Sequence, residues 1–343
     1  METKEMLPKE QGLTFSKAKL FFYILVILIF AFVIYYFAEI RDDITLFIKV
    51  NPAWLAVALA AQLGTYLFNS IIVRGLLRTF EPKSSIPIKQ LFQASIVTLF
   101  INQTVPSVKL SGNIYFFNFL KKRGVTEHRA YSLLLLELLT FYTAVVCIIL
   151  ILLFICLFWR GIPIYFFFIF LGGIGAFVFF ALLIGLLGRG KTIVLLLKKL
   201  SRIRFLKKSI SQFEKIHFDS IKNPWRIYAE HTPIVIKTIL LHICIFLCDS
   251  LTLYALFHGL GVPVLFLSAL VGLVLAKIIS LLPFTPGALI LYEGSMTFFY
   301  VHLGVPVAVA AVVTLLYRAL SFWLPIPAGF FLYRKLQNSS TSK

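Results

Sequence analysis

The sequence is poor in charge: 14% of its 343 residues are Asp, Glu, Lys or Arg, against 60% hydrophobic residues. Its mean hydropathy of +0.93 lies far outside the soluble range, which excludes an ordinary water-soluble domain and places the chain in the membrane class. Acid is scarcer still, with 14 Asp and Glu against 33 Lys and Arg and a net charge of +19. In a soluble protein that excess would suggest nucleic acid. Here the bases gather in loops between apolar runs, and the positive-inside bias accounts for them with no nucleic-acid partner. The four cysteines, Cys147, Cys156, Cys244 and Cys248, all fall inside apolar runs, so a disulfide framework is not expected. No Walker A motif, Rossmann glycine pattern, HExxH or Gly-x-Ser-x-Gly elbow occurs, so no cofactor is expected. His242, Cys244, Cys248 and Asp249 share one span, but His242 sits about 200° from Cys244 at about 100° per residue, so no metal is expected.

What the chain does have is long apolar runs. Full spans are expected at about 20–38, 53–73, 131–158, 163–187, 233–257, 262–282 and 307–332, each near the ~20 residues a helix needs to cross a bilayer. The first reads as a retained anchor, since no small-residue cleavage site follows it. Two further stretches are interrupted. Ile88 to Leu120 contains Asn102, Gln103, Pro106, Ser111 and Gly112, and Leu281 to Val301 contains Pro283, Pro286, Gly287 and Gly294. Proline removes a helix donor and glycine weakens the helix. In hydrocarbon such a break is tolerated only where it is buried in protein or lines a wet cavity. Both stretches are therefore expected to be intramembrane hairpins or discontinuous helices.

Charge sets the orientation. The stretches 1–19, 74–90, 121–129, 189–226 and the C-terminal tail hold 26 of the 33 basic residues, and the complementary loops hold three. The rich loops face the cytoplasm if 88–120 enters and leaves on that side and 262–303 on the other. The protein is then expected in the plasma (cytoplasmic) membrane as a multi-pass protein with both termini cytoplasmic. Within the loop 189–230, Val194, Leu197, Ile203, Leu206, Ile210, Phe213 and Ile216 recur at helical spacing among lysines and arginines, the pattern of a basic helix lying on an anionic leaflet.

An internal repeat emerges at an offset of 180 residues. It superposes Pro106 on Pro286, Gly124-Val125 on Gly304-Val305, Asn69-Ser70 on Asp249-Ser250, Gln62 on His242 and Asn113 on Glu293. The expected organisation is an all-α polytopic membrane protein with inverted structural repeats and two broken or re-entrant helices. Its parts are a tail over 1–19, a single transmembrane domain over 20–335 and a tail over 336–343. Inside that domain come repeat 1 at about 52–158, a linker span at 163–187, the basic loop and repeat 2 at about 232–335. Interrupted segments at matching places of two inverted halves point to a transport site near the midplane.

The ionisable residues placed at membrane depth are Glu293, Arg318, Glu137, Lys109, Asp249 and Lys277. Such charges are costly and mark functional sites. Glu293, Arg318, Glu137, Lys109 and Asn113 form the candidate head-group site. A carboxylate suits a cationic group, and a guanidinium grips phosphate through two hydrogen bonds. The competing reading is a set of internal ion pairs holding broken helices together, and it applies most strongly to Asp249 with Lys277. Pro106, Gly112, Pro283, Pro286, Gly287 and Gly294 are shape-makers.

Several motifs together carry a resemblance. Leu281-Leu282-Pro283-Phe284-Thr285-Pro286-Gly287, Tyr292-Glu293-Gly294, Leu303-Gly304-Val305-Pro306 and Tyr317-Arg318-Ala319-Leu320 form the more specific set. Asn102-Gln103-Thr104-Val105-Pro106, Ser111-Gly112 and Arg123-Gly124-Val125 form the weaker one. Over roughly Ile24 to Lys335 the chain resembles the transmembrane, flippase-like domain of lysylphosphatidylglycerol synthases. The resemblance implies a role in moving aminoacylated phospholipid between leaflets, with a separate soluble domain making the lipid. That soluble domain is not expected in this chain. Two places depart from the family pattern. Pro286-Gly287-Ala288-Leu289-Ile290 stands where the family often has Pro-Gly-Gly-x-Gly, and Asn113 stands where it tends to carry an acid.

The leading expectation is an integral membrane lipid transporter or flippase for a polar head group. The rival is a membrane-embedded enzyme or subunit for lipid-linked aminoacyl or glycosyl transfer, with Glu293 as acid or base. A third reading is a scaffold for a separate synthase. Expected partners are anionic or aminoacylated membrane phospholipids, a separate soluble transferase and a second copy of the chain.

Overall fold

A computed structural model describes residues 50–82, 84, 86–104, 110–158, 163–187, 224–280 and 291–341. The expected span 20–38, most of the basic loop, Lys109, and the breaks at Pro106, Pro283, Pro286 and Gly287 lie outside the described residues. Among those described there is no strand. The helices are α1 Pro52–Phe80, α2 Ile88–Thr104, α3 Leu110–Lys121, α4 Glu127–Phe158, α5 Ile164–Leu187, α6 Pro224–Glu230, α7 Thr232–Gly259, α8 Phe266–Ile279, α9 Leu291–His302, α10 Val307–Arg318 and α11 Pro325–Thr341. A π turn over Ala319–Trp323 joins the last two. Among the described residues, five stretches are long and apolar enough to cross a membrane: α1, α4, the 164–185 part of α5, α7, and 307–336 through the π turn.

Local chemistry sets the helix ends. Asn51 caps α1 by accepting from the Ala53 N–H at 2.9 Å, with Pro52 at the first position, where its missing donor costs nothing. α3 and α9 close with the same turn. Gly124 (φ 83°) and Gly304 (φ 89°) are left-handed, a conformation that glycine adopts without a Cβ clash. The next N–H bonds back across the turn in each case, from Val125 to the Leu120 carbonyl at 3.2 Å and from Val305 to that of Tyr300 at 3.0 Å. This pattern satisfies carbonyls left over at a helix end.

The order and bounds of the helices recur at the 180-residue offset. Thr232–Gly259 lies at the place of Pro52–Phe80, and Leu291–His302 at that of Leu110–Lys121. The equivalent helices α1 and α7 run antiparallel along each other. The Asn51 N–H donates to the Gly259 carbonyl at 2.9 Å at one end, and Phe80 meets the His231 ring at 5.5 Å at the other. Midway, Gly64 admits the Cys248 sulfur to 3.3 Å of where a Cβ would stand.

Both interrupted stretches fold back on themselves. Arg123, just after α3, donates through Nε to Gln90 at the start of α2 at 2.9 Å. Tyr300, near the end of α9, donates its hydroxyl to the Ala269 carbonyl near the start of α8 at 2.8 Å. The α8 arm has 14 residues, about 21 Å at 1.5 Å per residue, too short for a full span. The expected span at 262–282 is therefore one arm of a hairpin.

The ends of α1 and α3 and the starts of α2 and α4 share one face, tied by Arg129 to Glu81 at 2.6 Å. Arg74, Arg78, Lys89, Lys121, Lys122, Arg123 and Arg129 lie along these ends. A buried cluster with Leu76, Leu91, Leu120 and Leu133 packs beneath them. A second buried cluster joins α5, α7, α8 and α9 through Phe166, Phe257, Leu273 and Tyr300.

Candidate functional site

The sequence placed Glu293 beside helix-breaking residues, and the structure puts it in the first turn of α9, next to the tip of the second hairpin. A helix N-terminus favours negative charge. Arg318 ends α10 and turns back onto it, with Nε donating to Glu293 Oε1 at 2.5 Å. Side-chain exposure of the pair is 10% for Arg318 and 13% for Glu293. The guanidinium carbon lies 4.8 Å from the Tyr292 ring centre and 4.5 Å from that of Phe322, so aromatic faces back the cation. Glu293 Oε2 is buried and has no hydrogen-bond partner among the described residues. Gly294 is exposed, with open space where a Cβ would stand. One carboxylate oxygen is thus held in the ion pair, and beside it the wall is open.

The π turn after Arg318 follows from a backbone hydrogen-bond argument. The Leu324 N–H bonds the Ala319 carbonyl at 2.8 Å, one residue further back than in an α-helix, so the Leu320 carbonyl loses its regular donor. Pro325 has no N–H, so the Ser321 carbonyl loses its donor too. Both find side chains instead. Tyr66 of α1 donates to the Leu320 carbonyl at 3.1 Å, and Gln103 at the end of α2 donates to that of Ser321 at 3.4 Å. Single widened turns of this kind occur often at functional sites. This one joins the first half of the chain to the segment that carries Arg318.

A second ion pair lies on the other arm of the same hairpin. Lys277 donates to Asp249 Oδ2 at 2.8 Å and sits 4.2 Å over the Phe246 ring centre. The two pairs therefore engage the last turns of α8 and the first turn of α9.

In the first hairpin, the Gly112 N–H donates to Asn102 Oδ1 at 2.9 Å, and a Cβ on Gly112 would stand 2.5 Å from that side chain and from the Thr98 carbonyl. Asn113 follows it and is half-buried. Glu137 joins neither ion pair. Sequence reasoning grouped Glu293 with Arg318 and Asp249 with Lys277, which here form ion pairs, but passed over Tyr66 and the role of Gln103. The readable signal for Gln103 was Pro325, which leaves the Ser321 carbonyl free four residues earlier; Tyr66 had no such signal.

Comparison with known proteins agrees with this architecture. The model of the family described as lysylphosphatidylglycerol synthase TM region matches residues 21–329. A UPF0104 membrane protein of Methanothermobacter thermautotrophicus is 25% identical over 126 residues, 35% of this chain and 37% of that protein. The aligned part thus spans little more than a third of that relative's length. A polytopic helical architecture and a family match across nine-tenths of the chain agree: this multi-pass membrane protein belongs to the lysylphosphatidylglycerol synthase TM region family.

Proposed function

We propose that the protein moves a polar phospholipid head group between leaflets through the region around the second hairpin tip. The observation that carries this reading is the buried Glu293–Arg318 pair with one carboxylate oxygen unpartnered beside the open Gly294 position. A lipid phosphate competes with Glu293 for Arg318, since guanidinium binds both anions with the same fork. A cationic or hydroxylated head group takes up Glu293. Lysyl-phosphatidylglycerol and phosphatidylglycerol supply these two features in different proportions.

Movement would come from rocking of two inverted halves, the arrangement seen in many transporters. The antiparallel run of α1 against its equivalent α7 supports this relation. The π turn lies at a suitable place to feel such motion, since donors from α1 and α2 hold its carbonyls.

The test is leaflet exchange of labelled phosphatidylglycerol and lysyl-phosphatidylglycerol in proteoliposomes. Wild-type protein should accelerate exchange, and Glu293→Gln and Arg318→Ala should lose most of it while remaining monodisperse. No acceleration by wild-type protein for either lipid would sink the reading.

A further inference from the structure

Glu137 stands apart from the other intramembrane charges. It lies ten residues into α4, about 15 Å from the basic end at 1.5 Å per residue. On a helical wheel it falls about 40° from Leu133 and about 20° from Ala144, both fully buried. Glu137 itself is partly buried. Its carboxylate has no ion pair among the described residues.

His242 reaches the same level from α7, ten residues after its start at the same end. It is 5% exposed, and its Nε2 has no hydrogen-bond partner among the described residues. Its ring meets Phe141, one turn beyond Glu137 on α4, edge-on at 5.6 Å. Asn69 of α1 lies eleven residues from Phe80 at that end, about 16 Å deep. At the 180-residue offset this trio of Asn69, Glu137 and His242 corresponds to Asp249, Tyr317 and Gln62. Each trio has one carboxylate. That of the second trio is neutralised by Lys277, and the first has no such cation among the described residues.

We infer that Glu137 and His242 form a proton-binding site, and that its loading is coupled to the lipid movement proposed above. The coupling rests on that reading; the proton site does not. Charge at membrane depth needs a partner, whereas a carboxylic acid can stand there neutral. One proton is taken from water onto a Glu137 carboxylate oxygen or onto His242 Nε2 and is later returned to water. No other bond forms or breaks.

α1 brings Tyr66 and Arg74, the latter towards the basic end. α3 brings Tyr115 and Lys121. α6 brings Tyr228, which donates to Thr143 at 3.1 Å, and the Arg226–Glu230 pair. α5 brings Tyr165 at its far end, and α7 itself carries Lys237 five residues before His242 and Cys244 about 200° round the helix from it. α4 itself adds Tyr131 and Tyr142. The coupling route is short. Phe141 stacks on Phe246 at 6.1 Å, and Lys277 sits over Phe246. A proton on His242 therefore adds positive charge to the helix that holds Asp249, about 10 Å further along.

The test uses full-length protein in nanodiscs of phosphatidylethanolamine and phosphatidylglycerol. Infrared difference spectra across a pH titration should show a carboxylic-acid C=O band that is absent in Glu137→Gln, retained in Glu137→Asp and shifted in its midpoint by His242→Gln. A band unchanged in Glu137→Gln overturns the site. In liposomes, an imposed pH gradient should speed wild-type phosphatidylglycerol exchange severalfold, and Glu137→Gln should lose that response. Wild-type exchange indifferent to the gradient overturns the coupling. A wild-type band without any lipid exchange upholds the proton site and overturns the transport reading instead.

Discussion

Arg318 and Glu293 meet through Nε and Oε1 at 2.5 Å, where α10 gives way to the π turn and α9 begins. Removing one partner of a buried pair leaves an uncompensated charge and costs about 3–5 kcal/mol, more than the pair itself contributes. Arg318→Ala should lower the midpoint of thermal unfolding in detergent sharply. The double variant Arg318→Met with Glu293→Gln should recover much of the loss. Additive losses in the two single variants and the double would show that the pair is not coupled.

The first hairpin depends on Gly112 and Asn102 as a unit. Gly112→Ala pushes a methyl into the Asn102 side chain and the Thr98 carbonyl, and overpacking of this kind costs about 1–3 kcal/mol. Asn102→Ala removes the acceptor of the Gly112 N–H and costs a similar amount. Thermal midpoints of the two single variants and the double should be non-additive, because both act on one contact.

Pro325 and Gln103 should behave as partners although they do not touch. In the wild type Gln103→Leu leaves the Ser321 carbonyl without its side-chain donor, a loss of about 1 kcal/mol. Pro325→Ala supplies a backbone N–H that can serve the same carbonyl. In that background Gln103→Leu should cost almost nothing in a thermal double-mutant cycle.

α11 lies close against α2 at Gly329, where a Cβ would come 2.3 Å from the Phe100 Cβ and 3.1 Å from the Ile96 carbonyl. Small residues at such places let helices approach in a membrane. Gly329→Ala should destabilise by about 1–3 kcal/mol, read as a lower thermal midpoint, whereas Gly175→Ala, in open space, should change it little.

The hairpins also predict a labelling pattern. In a cysteine-free background, Lys122→Cys and Arg226→Cys should react with a membrane-impermeant maleimide from one face, and His302→Cys from the opposite face. Reaction of all three from one side would contradict the fold-back of α8 and α9.

Much of this architecture was legible in the sequence, for a physical reason. A bilayer imposes one length scale on every span, so five apolar runs could be read directly. The ends were less legible. α1 was expected to stop near residue 73 and continues to Phe80, because Arg74 and Arg78 can lie on a helix that extends past the apolar layer with their heads in water. The charges at the site and their grouping were legible because each is conspicuous among apolar neighbours. The contact geometry was not, since Glu293 with Arg318 and Asp249 with Lys277 are 25 and 28 residues apart and meet only through the packing of α9 with α10 and of α7 with α8. The widened turn had only Pro325 to announce it. Its other half, the jump of the Leu324 N–H to Ala319, is a choice of packing.

Gly124 and Gly304 close their helices with one turn, yet the polar residues at matching depth differ: Asn69 against Asp249, Gln62 against His242, Glu137 against Tyr317. The order and bounds of the helices recur at the 180-residue offset, while the polar residues at matching positions do not. The two sets therefore differ in charge: Asp249 is held by Lys277, whereas Glu137 has no such cation among the described residues, so a head group moved as proposed above would meet unlike chemistry in the two halves of the chain.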